Sequence, residues 1–449
     1  MRSLNTGKNL LHWLANVDED GIAWLHLQTD GKSVNVLTHA VMAELGSLVD
    51  QLEASEDLTG VAMLSGKPGG FVYGADIHEF ETLKTAGNVA NHMLFVHGLF
   101  NRIEALPVPS CVGVDGIAVG GGLEIALVFD RLFVTSSPKT KLGFPEVNLG
   151  IMPGYGGSGR AYGRVGTKAV LEMMVSGRPL GSQDAIKSGL ADGIVDNADD
   201  LEVAMRQWLL GCKGEKPSLT QLETAADATE IAAARDKYLK RVRADHTPAP
   251  AAIIDHVENF GHDKSAMSAG EIGVFPNLMI GRASKNLRRV FYLTDAVRKS
   301  ARGVSGIKRL HVVGAGVMGG DIAAVGAMAG LDVTLADMNE AAIEGAIARA
   351  KKYGKRVCLR APQGAGCGAD QPSLVMDAGR NYSRAKADPH RAGPLPHQRA
   401  WRGLRMPGSD RHRRPNERHR MPSSCCVQGR LARISAACPM SAPQASRAL

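Results

Sequence analysis

One stretch limits what this chain can fold into: Val114–Gly157, VDGIAVGGGLEIALVFDRLFVTSSPKTKLGFPEVNLGIMPGYGG. Gly120, Gly121 and Gly122 run directly into a helix-forming segment, Leu123–Val128, with Glu124 in its first turn. Three consecutive glycines make a weak helix start unless something must approach the backbone closely. Such a start presents unpaired N–H groups at the positive end of a helix dipole. Glu146 follows 22 residues after Glu124, in a proline-containing turn. Two carboxylates beside such a site can divide acid and base work between them. The stretch reads as an active site, with Glu124 and Glu146 as its candidate acid and base.

The flanking sequence alternates strand and helix signals. Gly21–Gln28 reads as a strand, Val41–Leu52 as an amphipathic helix, and Leu58–Leu64 as a second strand that ends in the Ser65–Gly70 loop. Asp76, with Glu79 three residues on, reads as a capping box. Asn91–Leu106 is a further helix, and Val108–Val114 a strand feeding the glycines. Arg131–Thr135 is a strand, Gly166–Ser176 a helix, and Ile194–Asp196 closes the run. With no two-residue hairpin signal, the fold class is α/β. Asp199 to about Gly303 is rich in Ala, Lys, Arg and Glu at helical spacing, with a break at Thr247–Pro250. It reads as helices that pack on the first domain and lead into the next.

From Ile307 a β-run leads to Gly314, Gly316 and Gly319 in G-x-G-x-x-G spacing, then a helix, then a second β-run ending in Asp337. Strand, glycines, helix and an acid 18 residues past the last glycine make the dinucleotide fingerprint. The acid points to NAD over NADP, because it would hydrogen-bond a ribose 2′-OH and repel a 2′-phosphate. A dinucleotide fold needs further parallel strands to bury its sheet, and no period of 2 or 3.6 persists beyond about Lys355.

Composition changes at the same point. The net charge of +8 is not spread evenly. From Lys355 onward there are 18 Lys and Arg against 5 Asp and Glu, so the preceding residues carry 35 against 40. Ten of the 21 prolines and five of the seven cysteines also lie there. The expectation is a basic tail without a packed core, of the kind an out-of-frame translation of a GC-rich gene produces. Arg411–Arg420 (RHRRPNERHR) lacks interleaved aromatics, and Cys425-Cys426 lacks ligand spacing, so neither nucleic acid nor metal is expected. In the body, Cys111 and Cys212 suggest no disulfide framework and a reducing compartment. No apolar run is long enough to span a membrane and no secretory h-region is seen at the N-terminus, so a cytoplasmic protein is expected.

The motifs GADIHEF, GIAVGGGLEIAL, LGFPEVNLGIMPGYGG and SGLADGIVD resemble the enoyl-CoA hydratase/isomerase (crotonase) superfamily. Together with GAGVMGGDIA they resemble the alpha subunits of bacterial fatty-acid oxidation complexes, which join a hydratase to an L-3-hydroxyacyl-CoA dehydrogenase. The resemblance implies four segments. Residues 1–198 would be a crotonase-type ββα spiral domain, and 199–305 a helical linker. Residues 306–354 would be an incomplete Rossmann-like NAD-binding start, and 355–449 the tail. It implies that the N–H groups of Ala75 and Gly121 hold a thioester oxygen, and that Glu124 and Glu146 hold one water over the substrate double bond. It adds Met318 to the NAD contacts and Asp295 as a substrate contact. The dehydrogenase histidine of the family lies in an HFFNP-like segment. His390, His397, His412 and His419 stand in unrelated contexts, so dehydrogenase activity is expected to be absent.

The implied activity is hydration of trans-2-enoyl-CoA, an acyl-CoA thioester, to the 3-hydroxyacyl-CoA without a cofactor. A thiolase beta subunit and a homo-oligomer are the implied partners. A Δ3-Δ2 enoyl-CoA isomerase and a non-catalytic CoA- or NAD-binding remnant are the alternatives. Two carboxylates favour hydration, since shuttling one proton needs only one. The plainer readings are a capping or solvated Glu124 and a surface-turn Glu146. Asp76 is expected to cap a helix, His78 to sit exposed on it, and Cys111 to be core.

Overall fold

A computed structural model describes residues 2–4, 10–68, 70–218, 225–240, 243, 246–300 and 306–358, with side chains as far as residue 351. The first half of the chain runs β1 (Arg2–Ser3), β2 (Trp13–Val17), β3 (Ile22–Leu27), α1 (His39–Glu53), β4 (Gly60–Ser65), α2 (Ile77–Phe80), α3 (Ala86–Glu104), β5 (Ser110–Val114), β6 (Ile117–Val119) and α4 (Gly121–Ala126). Then come β7 (Arg131–Thr135), β8 (Lys141–Gly143), a 3-10 turn (Pro145–Leu149), α5 (Gly157–Ser176), β9 (Leu180–Gly181), α6 (Ser182–Ser188) and β10 (Gly193–Val195). Five helices follow: α7 (Ala198–Gly211), α8 (Ala228–Leu239), α9 (Ala249–Phe260), α10 (Lys264–Ile280) and α11 (Arg282–Ser300). Last are β11 (Arg309–Val313), α12 (Val317–Met328), β12 (Asp332–Ala336) and α13 (Glu340–Cys358).

The main sheet has the order β1-β2-β3-β4-β5-β7-β10. From β3 onward its pairs are parallel. Parallel strands are covered on both faces and so read as near-continuous apolar runs, and every residue of β5 (SCVGV) is buried. One face carries the large core. On the other, Leu201, Met205 and Leu209 of α7 cover Trp24, Ala62 and Cys111. Cys111 is therefore core. A second sheet, β6-β8-β9, carries the chain from β5 into the glycine triplet.

The α/β architecture read from the sequence is the one observed, with local differences. β2 pairs antiparallel with β3, although WLANV shows little alternation: only its end residues Trp13 and Val17 are buried. Helix α5 begins nine residues before the expected Gly166, where a left-handed φ of 73° joins two helical runs. Gly157, Gly159 and Gly163 depress helix propensity there, and packing overrides it. The capping box is only half made. Asp76 accepts from the His78 N–H, but Glu79 reaches the His39 N–H instead, because the Asp76 N–H already bonds the Leu37 carbonyl. His78 is exposed and stacks on Tyr292.

Among the described residues from 198 to 300 the regular elements are the helices α7–α11, with α10 packed against α3, α5 and α9. Most of the expected tail, 355–449, lies outside the described residues, as do His390, His397, His412, His419 and Cys425-Cys426. Among the described residues, no helix is long and apolar enough to cross a membrane.

One buried amide ties the strand ends to the Ala75 loop. Asn35 donates to the Leu27 and Phe71 carbonyls and to Ser65 Oγ, and accepts from the Thr29 N–H. Asn35→Ala would remove the side-chain partner of the buried Thr29 N–H and of the Phe71 carbonyl. It is expected to cost about 3 kcal/mol in denaturant unfolding, and a change under about 0.5 kcal/mol would count against this role.

Candidate active site

The glycine triplet connects β6 to α4. A Cβ on Gly122 would lie 2.1 Å from the Val72 carbonyl oxygen, so the strand segment at Val72 can pack here only against a glycine. Gly121 is the first residue of α4, where a helix leaves its N–H groups unpaired. Opposite it, the Gly74 carbonyl accepts from the Leu37 N–H, and the Asp76 N–H donates to the Leu37 carbonyl. Ala75 lies between these two bonds. Among the described residues, neither the Ala75 nor the Gly121 N–H donates to a backbone carbonyl outside regular elements. A Cβ on Gly121 would stand 3.2 Å from the Ala75 nitrogen, which puts the two segments side by side.

Glu124 sits one turn further along α4 and is 2 % exposed. Its Oε1 accepts from the Tyr155 N–H at 2.6 Å and from the Gly157 N–H at 3.0 Å. The approach needs a glycine, since a Cβ on Gly157 would lie 2.5 Å from Glu124 Cγ. Glu146, on the 3-10 turn, is 9 % exposed, and its Oε2 has no hydrogen-bond partner among the described residues. Ala75, Gly121, Glu124 and Glu146 line one cleft, whose wall also includes apolar groups such as Ile77, Met152 and Phe275.

Electrostatics separate the two carboxyls. Burial and then the charge of Glu271 push Glu124 up to about 7, against the pull of its two backbone donors. Burial, followed by the charge of Glu124, drives Glu146 well above the ordinary carboxylate range. Both carboxyls are raised, but two backbone N–H groups favour the ionised form of Glu124, whereas Glu146 has only its own backbone N–H to do so and leaves Oε2 without a partner among the described residues.

Two residues here escaped the sequence reading. Glu271 of α10 is 0 % exposed and accepts from the N–H groups of Gly156 (2.6 Å) and Ser158 (2.9 Å). His97 of α3 places Nε2 3.5 Å from Glu271 Oε2 and 2.9 Å from the Gly154 carbonyl oxygen. The available signal was a lone acid inside the apolar run of KSAMSAGEIGVFPNLMI.

The remaining candidates lie elsewhere. Asp295 is on α11 in an i,i+4 ion pair with Lys299 and is not part of the cleft wall. Gly314 has a left-handed φ of 100° and donates to the Ala336 carbonyl. A Cβ on Gly319 would meet the Gly314 carbonyl oxygen at 1.8 Å, while the space beside Gly316 is open. Asp337, at the end of β12, accepts from the Ala315 N–H at 2.6 Å, and Met318 is 77 % exposed. A tight glycine turn, an open approach to a helix start, and a carboxylate beside it fit the pyrophosphate and ribose of a dinucleotide.

With this geometry in view, comparison with known proteins is informative. Residues 18–245 match the family Enoyl-CoA hydratase/isomerase, and residues 309–364 match the NAD binding domain of 3-hydroxyacyl-CoA dehydrogenase. The chain is 34 % identical over 350 residues to the fatty acid oxidation complex subunit alpha of Idiomarina loihiensis, covering 74 % of this chain and 48 % of that protein. It is 32 % identical over 347 residues to the subunit of the same name from Shewanella baltica, with 74 % and 49 % covered. The chain thus spans about half the length of the curated relatives it matches. A carnitinyl-CoA dehydratase structure from Mycobacterium thermoresistibile superposes with a TM-score of 0.50 at 20 % identity, over 63 % of this chain and 90 % of that one, and shows the shared fold.

The raised Glu124 pKa has a stability consequence. Glu124 binds its proton more tightly in the folded protein than in the unfolded chain. Its contribution is full below the unfolded value of 4.5 and is lost as pH rises through about 7. Between pH 5 and 8 the native protein is expected to lose on the order of 2–3 kcal/mol more than Glu124→Gln, measured by urea unfolding at each pH. Equal pH slopes would refute this.

Proposed function

The chain belongs to the enoyl-CoA hydratase/isomerase family, and from that premise we propose that its cleft adds water to trans-2-enoyl-CoA, giving the 3-hydroxyacyl-CoA. One observation carries the reading: two buried carboxyls, Glu124 with two backbone donors and Glu146 with an unpartnered Oε2, face a single cleft beside the paired Ala75 and Gly121 segments. The thioester oxygen would accept from the N–H groups of Ala75 and Gly121, which stabilise the negative charge that develops there. The Glu124 carboxylate takes a proton from water as the water oxygen bonds to C3. The C2=C3 electron pair moves toward the thioester as an enolate. C2 then takes the proton of the Glu146 carboxyl, completing the addition. Glu124 ends neutral and Glu146 charged, and one proton passed between them through the next water resets the pair. The donors on Glu124 and the unpartnered Oε2 of Glu146 support this division of roles.

The second site supports NAD as a ligand. Gly314, Gly316, Met318 and Gly319 would flank its pyrophosphate, and Asp337 its adenosine ribose. When bound, NAD supplies a hydride acceptor, and the hydration step uses none. The relatives' name, fatty acid oxidation complex subunit alpha, supports a place for this chain in fatty-acid oxidation, and a thiolase beta subunit or a second copy is retained as a partner only on the family resemblance. Asp295 is retained as a substrate contact only on the family resemblance. The free thiols of Cys111 and Cys212 support a reducing, cytoplasmic setting.

Purified protein is expected to remove the conjugated-thioester absorbance of crotonyl-CoA. Glu124→Gln and Glu146→Gln are each expected to lower kcat by about 10²–10⁴-fold. Undiminished hydration by Glu146→Gln would overturn the two-carboxylate mechanism.

A further inference from the structure

The start of α5 serves two carboxylates at once. Four consecutive N–H groups alternate between them: Tyr155 and Gly157 donate to Glu124, and Gly156 and Ser158 to Glu271. Glu271 does not line the cleft. It lies behind the loop, where Ser158 Oγ donates to its Oε1 and also meets His256 Nε2 at 3.0 Å. His97 supplies the facing imidazole at 3.5 Å. Two like charges at one helix terminus repel, and the N-terminal dipole favours a negative charge without cancelling that repulsion.

We propose that Glu271 is a positioning residue for hydration: it holds the loop that orients Glu124, and its charge acts on Glu124 across that loop. The proposal rests on the hydratase reading for its consequence in catalysis. The groups facing Glu271 are His97 from α3, His256 from α9 and the Ser158 N–H and hydroxyl at the start of α5, and the charges that act with it are Glu124 from α4 and Glu146 from the 3-10 turn. Among them His97 is the counter-charge. Burial works against its imidazolium, but Glu271 and the Gly154 carbonyl outweigh this and raise it. Burial likewise opposes the Glu271 carboxylate, and His97 and Ser158 hold it below the ordinary range. Glu271 therefore keeps its charge, and Glu124 is the carboxyl pushed toward neutrality.

The test is the acid limb of kcat/KM against pH, from pH 5 to 9, for crotonyl-CoA hydration by the full chain. In Glu271→Gln the limb is expected to move to lower pH by about one unit, because the repelling charge is gone. Lost loop packing alone would lower the plateau and leave the limb in place. Where the single variant fails to fold, Glu271→Gln combined with His97→Gln leaves neither partner as a lone buried charge. Its limb should also lie below that of the native protein, since Glu271 acts on Glu124 more strongly than His97 does. An unmoved limb in either folded variant would overturn the proposal. The Glu124 carboxyl band, followed by infrared titration without substrate, should show the same shift. If the native protein hydrates nothing yet that band shifts, the hydratase reading fails and the Glu271 effect stands.

Discussion

The structure depends on what the N-terminus of α5 does with its backbone N–H groups. Residues 155–158 cannot satisfy these within the helix, and the loop is too glycine-rich to offer side-chain caps. Glu124 arrives from α4 and Glu271 from α10, and each takes two of the four. A buried helix end thus finds its partners in carboxylates, and buried carboxylates find donors. The arrangement joins segments far apart in sequence at one point, so the geometry of Glu124 reports on the packing of the whole domain.

The glycines follow from the same constraint. Gly157 lets Glu124 approach, and Gly122 lets the segment at Val72 lie against the start of α4. These are close approaches of backbone to side chain or of backbone to backbone, for which any Cβ is too large. The sheet behind them is conventional parallel α/β, buried on both faces. It fixes where β5 and β6 deliver the glycine triplet. The glycine triplet therefore follows a strand, β5, that is buried along its whole length.

Much of this was legible in the sequence, for a physical reason. Three consecutive glycines before a helix are a local sign that something approaches the backbone closely, so GGGLE was legible, whereas the segment that approaches, at Val72, is 50 residues away and was not. Glu124 and Glu146 stood out because each follows a backbone signal, a triplet or a proline turn. Ala75 and Gly121 could be paired only through family resemblance, because no local pattern says that two loops 46 residues apart lie side by side. Glu271 and His97 were not legible. Each is a single polar residue in a helix, and its meaning depends on α3 and α10 meeting behind the loop. The early start of α5 was hidden similarly, since its glycines argue against a helix until packing is known.

The sequence by itself determined the α/β class, the alternation that builds the parallel sheet, the two carboxylates, the glycine-bounded dinucleotide turn and the sharp compositional change near Lys355. All of these are local: propensity, periodicity and backbone permission act over a few residues. The tertiary structure decided which amides Glu124 and Glu271 take, how deeply each carboxyl is buried, and that Glu124 has backbone donors while an oxygen of Glu146 has none. Those properties arise from distances between segments and from the exclusion of water, and neither exists until the chain has folded.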